Sequence, residues 1–371
     1  MKKILLLVMI GTILFCACVI FGGCAKKENV IKIGVIAPLS GNAAVYGRSL
    51  KNGMMIAETL INSGNSKQHI ELIFENSKAD SKEAVTAINK LINIDHVKCI
   101  IGDMFTSTTM AIAPIAKESQ ILLISPTASS QEISNIGPTI FRLYPSEIEE
   151  GKTLANFFIE NINDPNVGIL TLNEDAMLRV SKEINKIIGE KNISYSEIYS
   201  KEQTDYKTLI SKIPLNIKEI FALGYMNDIA LIVRQAKQLN KKITFICLST
   251  LYDPKFLELA GNSADGVYLT APYFDPDSKE QYIERFINEY VIKYDQVPDV
   301  WAGYGYDSVN ICAKVINEAN GNSLLAADIL ENLSGYNGVT GKTTITKDHG
   351  VNKQMRILRI ENGEFVDVGV K

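Results

Sequence analysis

The sequence predicts an α/β protein built from two halves of similar size. From Val30 onward, short β-branched runs alternate with longer amphipathic segments, and a second series of the same kind begins at Glu149. Such alternation is typical of a parallel sheet covered by helices on both faces. The chain has 371 residues, of which 46% are hydrophobic, and this is enough for two cores.

In the first half, predicted strands and helices follow one another at short spacing. Leu50, Met54, Ala57 and Ile61 recur every three or four residues, which predicts a helix with one apolar face. Strands are predicted at residues 31–36, 70–74, 97–102 and 121–124, and helices at residues 48–62, 82–93 and 108–119.

The second half repeats this order. Helices are predicted at residues 150–161, 179–189, 206–212 and 229–239, and strands at residues 167–172, 193–199, 219–223 and 243–248. Pro145, Pro272 and Pro276 break helices and favour extended crossings between the halves. Further helices are predicted at residues 279–294, 301–318 and 324–333. The short β-like runs at residues 343–346, 354–360 and 364–368 predict strands added to a sheet edge.

The amino terminus has the features of an export signal. Lys2 and Lys3 precede residues 4–21, which carry no charge and are almost all hydrophobic. The length of this run fits either a cleaved signal or an uncleaved membrane anchor.

The residues that follow favour cleavage. Gly22-Gly23-Cys24 resembles the lipobox of bacterial lipoproteins, although Phe21 stands where Leu is usual. The resemblance implies a signal peptide at residues 1–23, and a lipidated Cys24 with a polar tether at residues 24–29. Acyl chains such as palmitate at Cys24 would then anchor the protein to the membrane.

Three cysteines remain beyond the signal segment and Cys24. Cys99 and Cys247 lie in apolar runs and Cys312 lies on a helical stretch, so we expect buried structural thiols. No pair of them has the spacing of a metal or redox site.

Composition and motifs exclude several classes of function. A formal net charge of −4 gives no cationic field, so we expect no nucleic-acid partner. The three histidines are isolated, and neither a nucleophile elbow nor a phosphate loop is present. Residues 303–308 resemble a dinucleotide fingerprint only superficially, since they follow no strand. We expect no catalysis, no cofactor and no metal.

Hydroxyl side chains cluster where two neighbouring predicted strands end. Residues 106–109 follow one strand, and residues 125–130 include the end of the next. In open α/β sheets, ligands bind outside the carboxyl ends of the strands. Hydroxyls and the free amides of a helix start suit a carboxylate, so we predict a ligand site here, although capping by Ser and Thr is common.

A series of short motifs runs through the chain in a fixed order, at residues 33–41, 46–47, 101–102, 124–126, 204–206, 233–236, 259–261, 305–307 and 338–341. Together they resemble the type I periplasmic binding proteins of the leucine/isoleucine/valine group, the solute receptors of ATP-driven importers. The resemblance covers residues 31–368. It implies two Rossmann-like lobes joined by a three-crossing hinge, which close around a solute.

The resemblance also implies the boundaries of the lobes. Lobe 1 would contain residues 30–143 and 275–336, and lobe 2 residues 144–274 and 337–371. The third crossing would fall near residues 336–340.

The family pattern implies a set of ligand-binding residues. Four hydroxyl residues of lobe 1 would hold the solute carboxylate: Thr106, Ser107, Thr127 and Ser129. Tyr46 would border the solute side chain, and Tyr225 would close over it from lobe 2.

Ser249, which we include in the predicted site, departs from the family pattern. It stands where an acidic residue would pair with the ligand ammonium, and burying an ammonium without a countercharge is costly. Either Asp253, Glu174 or Asp175 substitutes, or the ligand is not an α-amino acid. Residues 173–178 also lack the family's aromatic residue, and the family's amino-terminal disulfide is missing.

These features predict an extracytoplasmic, lipid-anchored solute-binding protein at the cell membrane. Its partners would be a small polar or amphipathic solute, such as a branched-chain amino acid or a related amide or carboxylate, and an ABC permease with its ATPase. The alternative is a ligand-sensing module that feeds a signalling receptor. A neighbouring permease gene favours the first function, and a neighbouring histidine kinase gene favours the second.

Overall fold

The computed structural model describes residues 29–64, 68–162, 164–200 and 203–369. The predicted signal peptide and the predicted lipidation site Cys24 lie outside the described residues. Within the described ranges, no helix is both long and apolar enough to cross a bilayer.

A five-stranded parallel sheet forms the first lobe, in the order β2-β1-β3-β4-β5. Its strands are β1 Asn29–Ala37, β2 Gln68–Asn76, β3 Cys99–Ile101, β4 Leu122–Ser125 and β5 Ile140–Arg142. Ile33 and Ile101 belong to the core on one face, whereas Ile36 and Ile100 belong to the core on the other. A sheet buried on both faces explains why these strands read as continuous apolar runs.

A seven-stranded sheet forms the second lobe, in the order β15-β14-β10-β9-β8-β6-β7. Strands β6 to β10 are parallel, and β14 and β15 extend the edge in antiparallel orientation. The bounds are β6 Val167–Leu172, β7 Ile193–Tyr199, β8 Glu219–Leu223, β9 Thr244–Cys247, β10 Tyr268–Pro272, β14 Met355–Glu361 and β15 Glu364–Asp367.

Twelve α-helices lie in the described part of the chain. They are α1 Ala44–Ser63, α2 Ser81–Asn93, α3 Thr106–Glu118, α4 Gln131–Ser134, α5 Glu147–Asn161, α6 Asp175–Ile188, α7 Lys207–Ser211, α8 Met226–Gln238, α9 Pro254–Ala260, α10 Gln281–Tyr294, α11 Val300–Glu318 and α12 Ser323–Glu331. Helices α1 and α11 approach closely because Gly53 and Gly305 lack side chains. A Cβ atom on Gly53 would lie 1.8 Å from the Ala302 carbonyl oxygen, and one on Gly305 would lie 2.1 Å from that of Leu50.

The α/β fold class with two lobes is confirmed, but two expectations need correction. Residues 343–346 do not extend the edge of the large sheet, because β12 Gly341–Ile345 pairs with β11 Tyr336–Gly338 and β13 Val351–Lys353 in a separate three-stranded sheet. Cys99 and Cys312 are not free thiols, because a disulfide joins them.

The third cysteine, Cys247, is a buried free thiol as expected. Burial raises the pKa of its thiol, so the side chain behaves as a small apolar group.

Candidate functional site

A cleft of about 950 Å³ lies where the carboxyl ends of strands from both sheets meet. Six of the seven predicted binding residues line this cleft: Thr106, Ser107, Thr127, Ser129, Tyr225 and Ser249. The structure therefore brings together the two hydroxyl clusters of the first lobe and two residues of the second lobe. Tyr46 lines a neighbouring cavity instead.

Thr106 and Ser107 begin the first turn of α3, which follows β3 after a loop of residues 102–105. The N-cap residue of this helix is Phe105, whose side chain makes no capping hydrogen bond. First-turn amides of a helix have no acceptor within the helix itself, and they lie at the positive end of its dipole. This wall of the cleft therefore offers a site for a carboxylate.

Hydrogen bonds between side chains and backbone hold the second hydroxyl cluster in place. The Thr127 hydroxyl donates to the Met104 carbonyl oxygen at 2.8 Å, and the Ser125 hydroxyl donates to that of Asp103 at 2.8 Å. The Ala128 amide in turn donates to Ser125 Oγ at 3.2 Å. These bonds tie the loop after β4 to the loop after β3. They preorganise this side of the cleft, which we call the donor wall and which consists of the start of α3 and residues 125–130.

On the opposite wall, Ser249 contacts a buried carboxylate from another helix. Glu150 is only 4% exposed. Its Oε2 accepts from the Ser249 amide at 2.9 Å and from Thr270 Oγ1 at 2.8 Å, and its Oε1 accepts from Ser249 Oγ at 2.9 Å. Burial raises the pKa of Glu150, and the hydrogen bonds from Ser249 and Thr270 oppose this shift. A buried acidic group therefore lies next to position 249, and it comes from the first turn of α5.

The sequence does not identify Glu150 as a binding residue, because a carboxylate at a helix start is expected near the positive end of the dipole. The start itself is well defined, since Ser146 Oγ accepts from the Glu149 amide at 3.3 Å. One signal could have found the site. Glu150 precedes Leu154 and Phe158 at four-residue spacing, so it lies on the apolar face of α5.

A second buried carboxylate, Glu147, lies one turn earlier on the same helix and also lines the cleft. Its Oε1 lies 3.2 Å from an Arg179 guanidinium nitrogen, and Arg179 also approaches Glu132 at 3.5 Å. Glu132 belongs to the first lobe and Arg179 to the second, so the ion pair between Arg179 and Glu132 spans the cleft.

Aromatic side chains complete the cleft: Phe105, Tyr144, Tyr225 and Trp301. Tyr225 is 42% exposed, and burial together with a hydrogen bond to Glu174 raises its pKa to about 12. The Tyr144 hydroxyl lies 3.2 Å from Ser249 Oγ. The sequence patterns predict neither Tyr144 nor Trp301 as a cleft residue.

Tyr46 makes a contact between the lobes beside the cleft. Its hydroxyl donates to the Asp253 carboxylate, and its ring meets the Trp301 ring edge-on with centroids 5.9 Å apart. Burial and the bond to Asp253 raise the pKa of Tyr46 to about 12. Asp253, one proposed substitute for the missing acidic residue, thus lines the neighbouring cavity of about 640 Å³ with Tyr46. The other two, Glu174 and Asp175, line the cleft itself.

A protein-family model matches most of the chain. The model described as "Periplasmic binding protein" matches residues 30–364. Among curated proteins, the chain is 26% identical over 306 residues to the leucine-, isoleucine-, valine-, threonine- and alanine-binding protein of Pseudomonas aeruginosa, covering 81% of each chain. It is 26% identical over 265 residues to the Leu/Ile/Val-binding protein of Escherichia coli, covering 69% of this chain and 71% of that protein.

Solved structures share the fold at lower identity. A leucine-binding protein from Thermotoga maritima has a TM-score of 0.75 at 23% identity, covering 91% of this chain and 98% of that chain. The branched-chain amino acid transporter substrate-binding protein of Streptococcus pneumoniae, solved with isoleucine, has a TM-score of 0.75 at 24% identity, covering 92% of this chain and 99% of that chain.

Proposed function

Because the chain belongs to the periplasmic binding protein family, in its leucine/isoleucine/valine-binding group, we propose that it is the solute-binding component of an ABC importer and binds an α-amino acid. One observation carries this proposal: the cleft has a wall of neutral hydrogen-bond donors opposite a wall with the buried carboxylate of Glu150. A zwitterion presents complementary groups to two such walls. The relatives are named for amino-acid binding, which supports the same class of solute.

The solute carboxylate would lie against the first lobe. The first turn of α3, with Thr106 and Ser107, lines the cleft beside the loop of Thr127 and Ser129. Hydrogen bonds to a charged group contribute about 1.5–3 kcal/mol each. A few of these bonds are enough to orient the solute.

The solute ammonium would lie against Glu150 and Ser249. Glu150 already accepts three hydrogen bonds from protein groups, and a carboxylate has about four acceptor positions. An ammonium can therefore bind without displacing those bonds. Its positive charge also offsets the cost of a buried, ionised carboxylate.

Closure of the lobes would bury the solute. We propose that lobe 1 contains residues 30–143 and 275–336, that lobe 2 contains residues 144–274 and 337–371, and that three crossings form the hinge. The bond of Tyr46 to Asp253 and the ion pair of Arg179 with Glu132 would then stabilise the closed state.

We propose an extracytoplasmic location, with acyl chains on Cys24 as the anchor and an ABC permease and ATPase as partners. Cys24→Ser would remove the acylation site, and Cys18→Ser serves as the matched control. The Cys24→Ser protein should leave the membrane fraction, whereas the control should stay. Retention of Cys24→Ser in membranes contradicts lipid anchoring and favours an uncleaved helix.

A thermal-shift screen against the twenty common amino acids tests the solute class. A bound solute stabilises the folded state by about 2.7 kcal/mol at a 100-fold excess over Kd. We expect amino acids to raise Tm while their amides, which lack the carboxylate, do not. Equal shifts with amino acids and their amides would contradict the assigned carboxylate site.

A further inference from the structure

Negative charge is concentrated in the cleft beyond what one ammonium needs. Of the described residues that line it, five carry carboxylates and one carries a guanidinium, Arg179. The carboxylates are Glu132, Glu147, Glu150, Glu174 and Asp175. A zwitterionic solute adds no net positive charge to this group.

Glu147 shows that this charge is built into the wall. The residue is only 6% exposed, and its Oε2 has no hydrogen-bond partner among the described residues. Arg179 contacts the other oxygen, Oε1. A buried carboxylate oxygen without a partner costs free energy. Because Oε2 has almost no exposed surface, the Glu147 side chain must turn toward the cleft for a ligand donor to reach it.

The positions of Glu147 and Glu150 set the arrangement of the ligand's charges. They lie three residues apart in the first turns of α5, so both face the same side of the helix. Ser249 and Thr270 bind Glu150, whereas no such donors occupy Glu147 Oε2 in the described chain. Two neighbouring acidic positions thus suit a solute with two cationic groups.

We propose that Glu147 binds a second positive charge on the solute, so that the substrate class is basic amino acids rather than branched-chain ones. This inference rests on the proposed function, because the α-ammonium is assigned there to Glu150. The rings of Tyr144, Tyr225 and Trp301 provide aromatic surface in the same cleft, and aromatic faces attract cations.

Calorimetry on the full chain purified in detergent, with L-lysine and L-norleucine as probes, tests the proposal. The two amino acids differ at the end of the side chain, where lysine carries an ammonium and norleucine a methyl group. We expect lysine to bind at least about 10-fold more tightly. Equal or tighter binding of norleucine overturns the second cation site and leaves the proposed amino-acid function intact.

Variants locate the charge that is responsible. Glu147→Gln should weaken lysine binding at least about 10-fold more than it weakens norleucine binding. Glu149→Gln is the matched control, because Glu149 lies on the same helix but pairs with Lys152 at 2.6 Å outside the cleft lining. Unchanged lysine affinity in Glu147→Gln overturns the assignment to Glu147.

A third probe, the diamine cadaverine, separates failure of this inference from failure of the proposed function. Cadaverine has lysine's two amino groups but no carboxylate. Binding of cadaverine without binding of lysine supports the two-cation site and contradicts the proposed amino-acid function. No binding of lysine, norleucine or cadaverine overturns both.

Discussion

The two walls of the cleft hold their polar groups by different physical means. On the first lobe, neutral donors converge from the start of α3 and from a loop tied by the Thr127 and Ser125 hydroxyls. On the second lobe, two buried carboxylates from α5, Glu147 and Glu150, line the cleft. A neutral donor loses little when the site is empty and hydrated, whereas a buried charge is costly without a partner.

This difference predicts which wall dominates affinity and which sets pH dependence. Removing a donor from the first lobe removes one of several hydrogen bonds to the solute carboxylate, and the other bonds remain. Removing the charge of Glu150 leaves a buried ammonium without a countercharge, which costs more. Burial raises the pKa of Glu150, so we expect this buried carboxylate to make binding depend on pH.

The largest effect is expected from Glu150→Gln, which keeps the shape of the side chain but removes its charge. Loss of a buried charge partner costs about 2–5 kcal/mol, so amino-acid affinity should fall about 100-fold. Isothermal titration calorimetry measures this, with Glu149→Gln as control because it lies on the same helix outside the cleft lining. An unchanged Kd would mean that the ammonium lies elsewhere.

A smaller effect is expected from Thr106→Ala combined with Thr127→Ala on the donor wall. Loss of the Thr106 bond to the carboxylate should weaken binding about 10- to 100-fold. Loss of the Thr127 bond to the Met104 carbonyl oxygen should loosen the loop and also lower Tm of the empty protein slightly. Thr86→Ala is the control, because the Thr86 hydroxyl makes a similar bond to the Lys82 carbonyl oxygen on an exposed helix face. Full affinity in the double variant would refute the carboxylate position.

Lowering the pH should weaken binding by up to about tenfold per pH unit once Glu150 becomes protonated. Burial raises the pKa of Glu150 above its ordinary value, so protons compete with the ammonium above the usual range for Glu. In the empty protein, the folded state binds more protons than the unfolded state between the two pKa values. Stability should therefore fall as pH rises through that window.

Calorimetry and thermal unfolding across pH values from about 4 to 8 measure both trends. Glu150→Gln should abolish the pH dependence of binding and reduce that of stability, to which Glu58, Asp103 and Glu219 also contribute because burial raises their pKa values. If the variant keeps the wild-type pH profile, another group is responsible for it.

The smallest effect is expected from Tyr46→Phe, which removes the bond to Asp253 between the lobes. One hydrogen bond contributes about 1 kcal/mol, so affinity should fall about fivefold for every solute alike. Tyr195→Phe is the control, because its hydroxyl bonds the Leu209 carbonyl oxygen within one lobe. An effect that varies with the solute side chain would instead show that Tyr46 borders the ligand.

The fold could be predicted closely from the sequence because helical and strand periodicities are local. Arrangements that depend on distant residues could not. Residues 343–346 have the sequence pattern of an edge strand, yet nothing in the local sequence indicates which sheet they join. Likewise Cys99 and Cys312 are 213 residues apart, and only the packing of α11 on the first sheet brings them together.

The residues of the candidate site also fall into those that could be predicted from the sequence and those that could not. Thr106 and Thr127 follow strand ends, so their place at the cleft could be predicted from topology. Glu150 reaches Ser249 across 99 residues of sequence, and its place on the apolar face of α5 was the one local sign of burial. The neighbours of Tyr46 depend on how the two lobes meet, which no local pattern encodes.

We propose that Glu150 binds the α-ammonium of the solute opposite the donor wall. The most direct measurement is calorimetry of wild type and Glu150→Gln with L-lysine and with 6-aminohexanoate, which is lysine without the α-amino group. Wild type should prefer lysine about 100-fold, and the variant should lose nearly all of that preference. An equal preference for lysine in both proteins would contradict the claim.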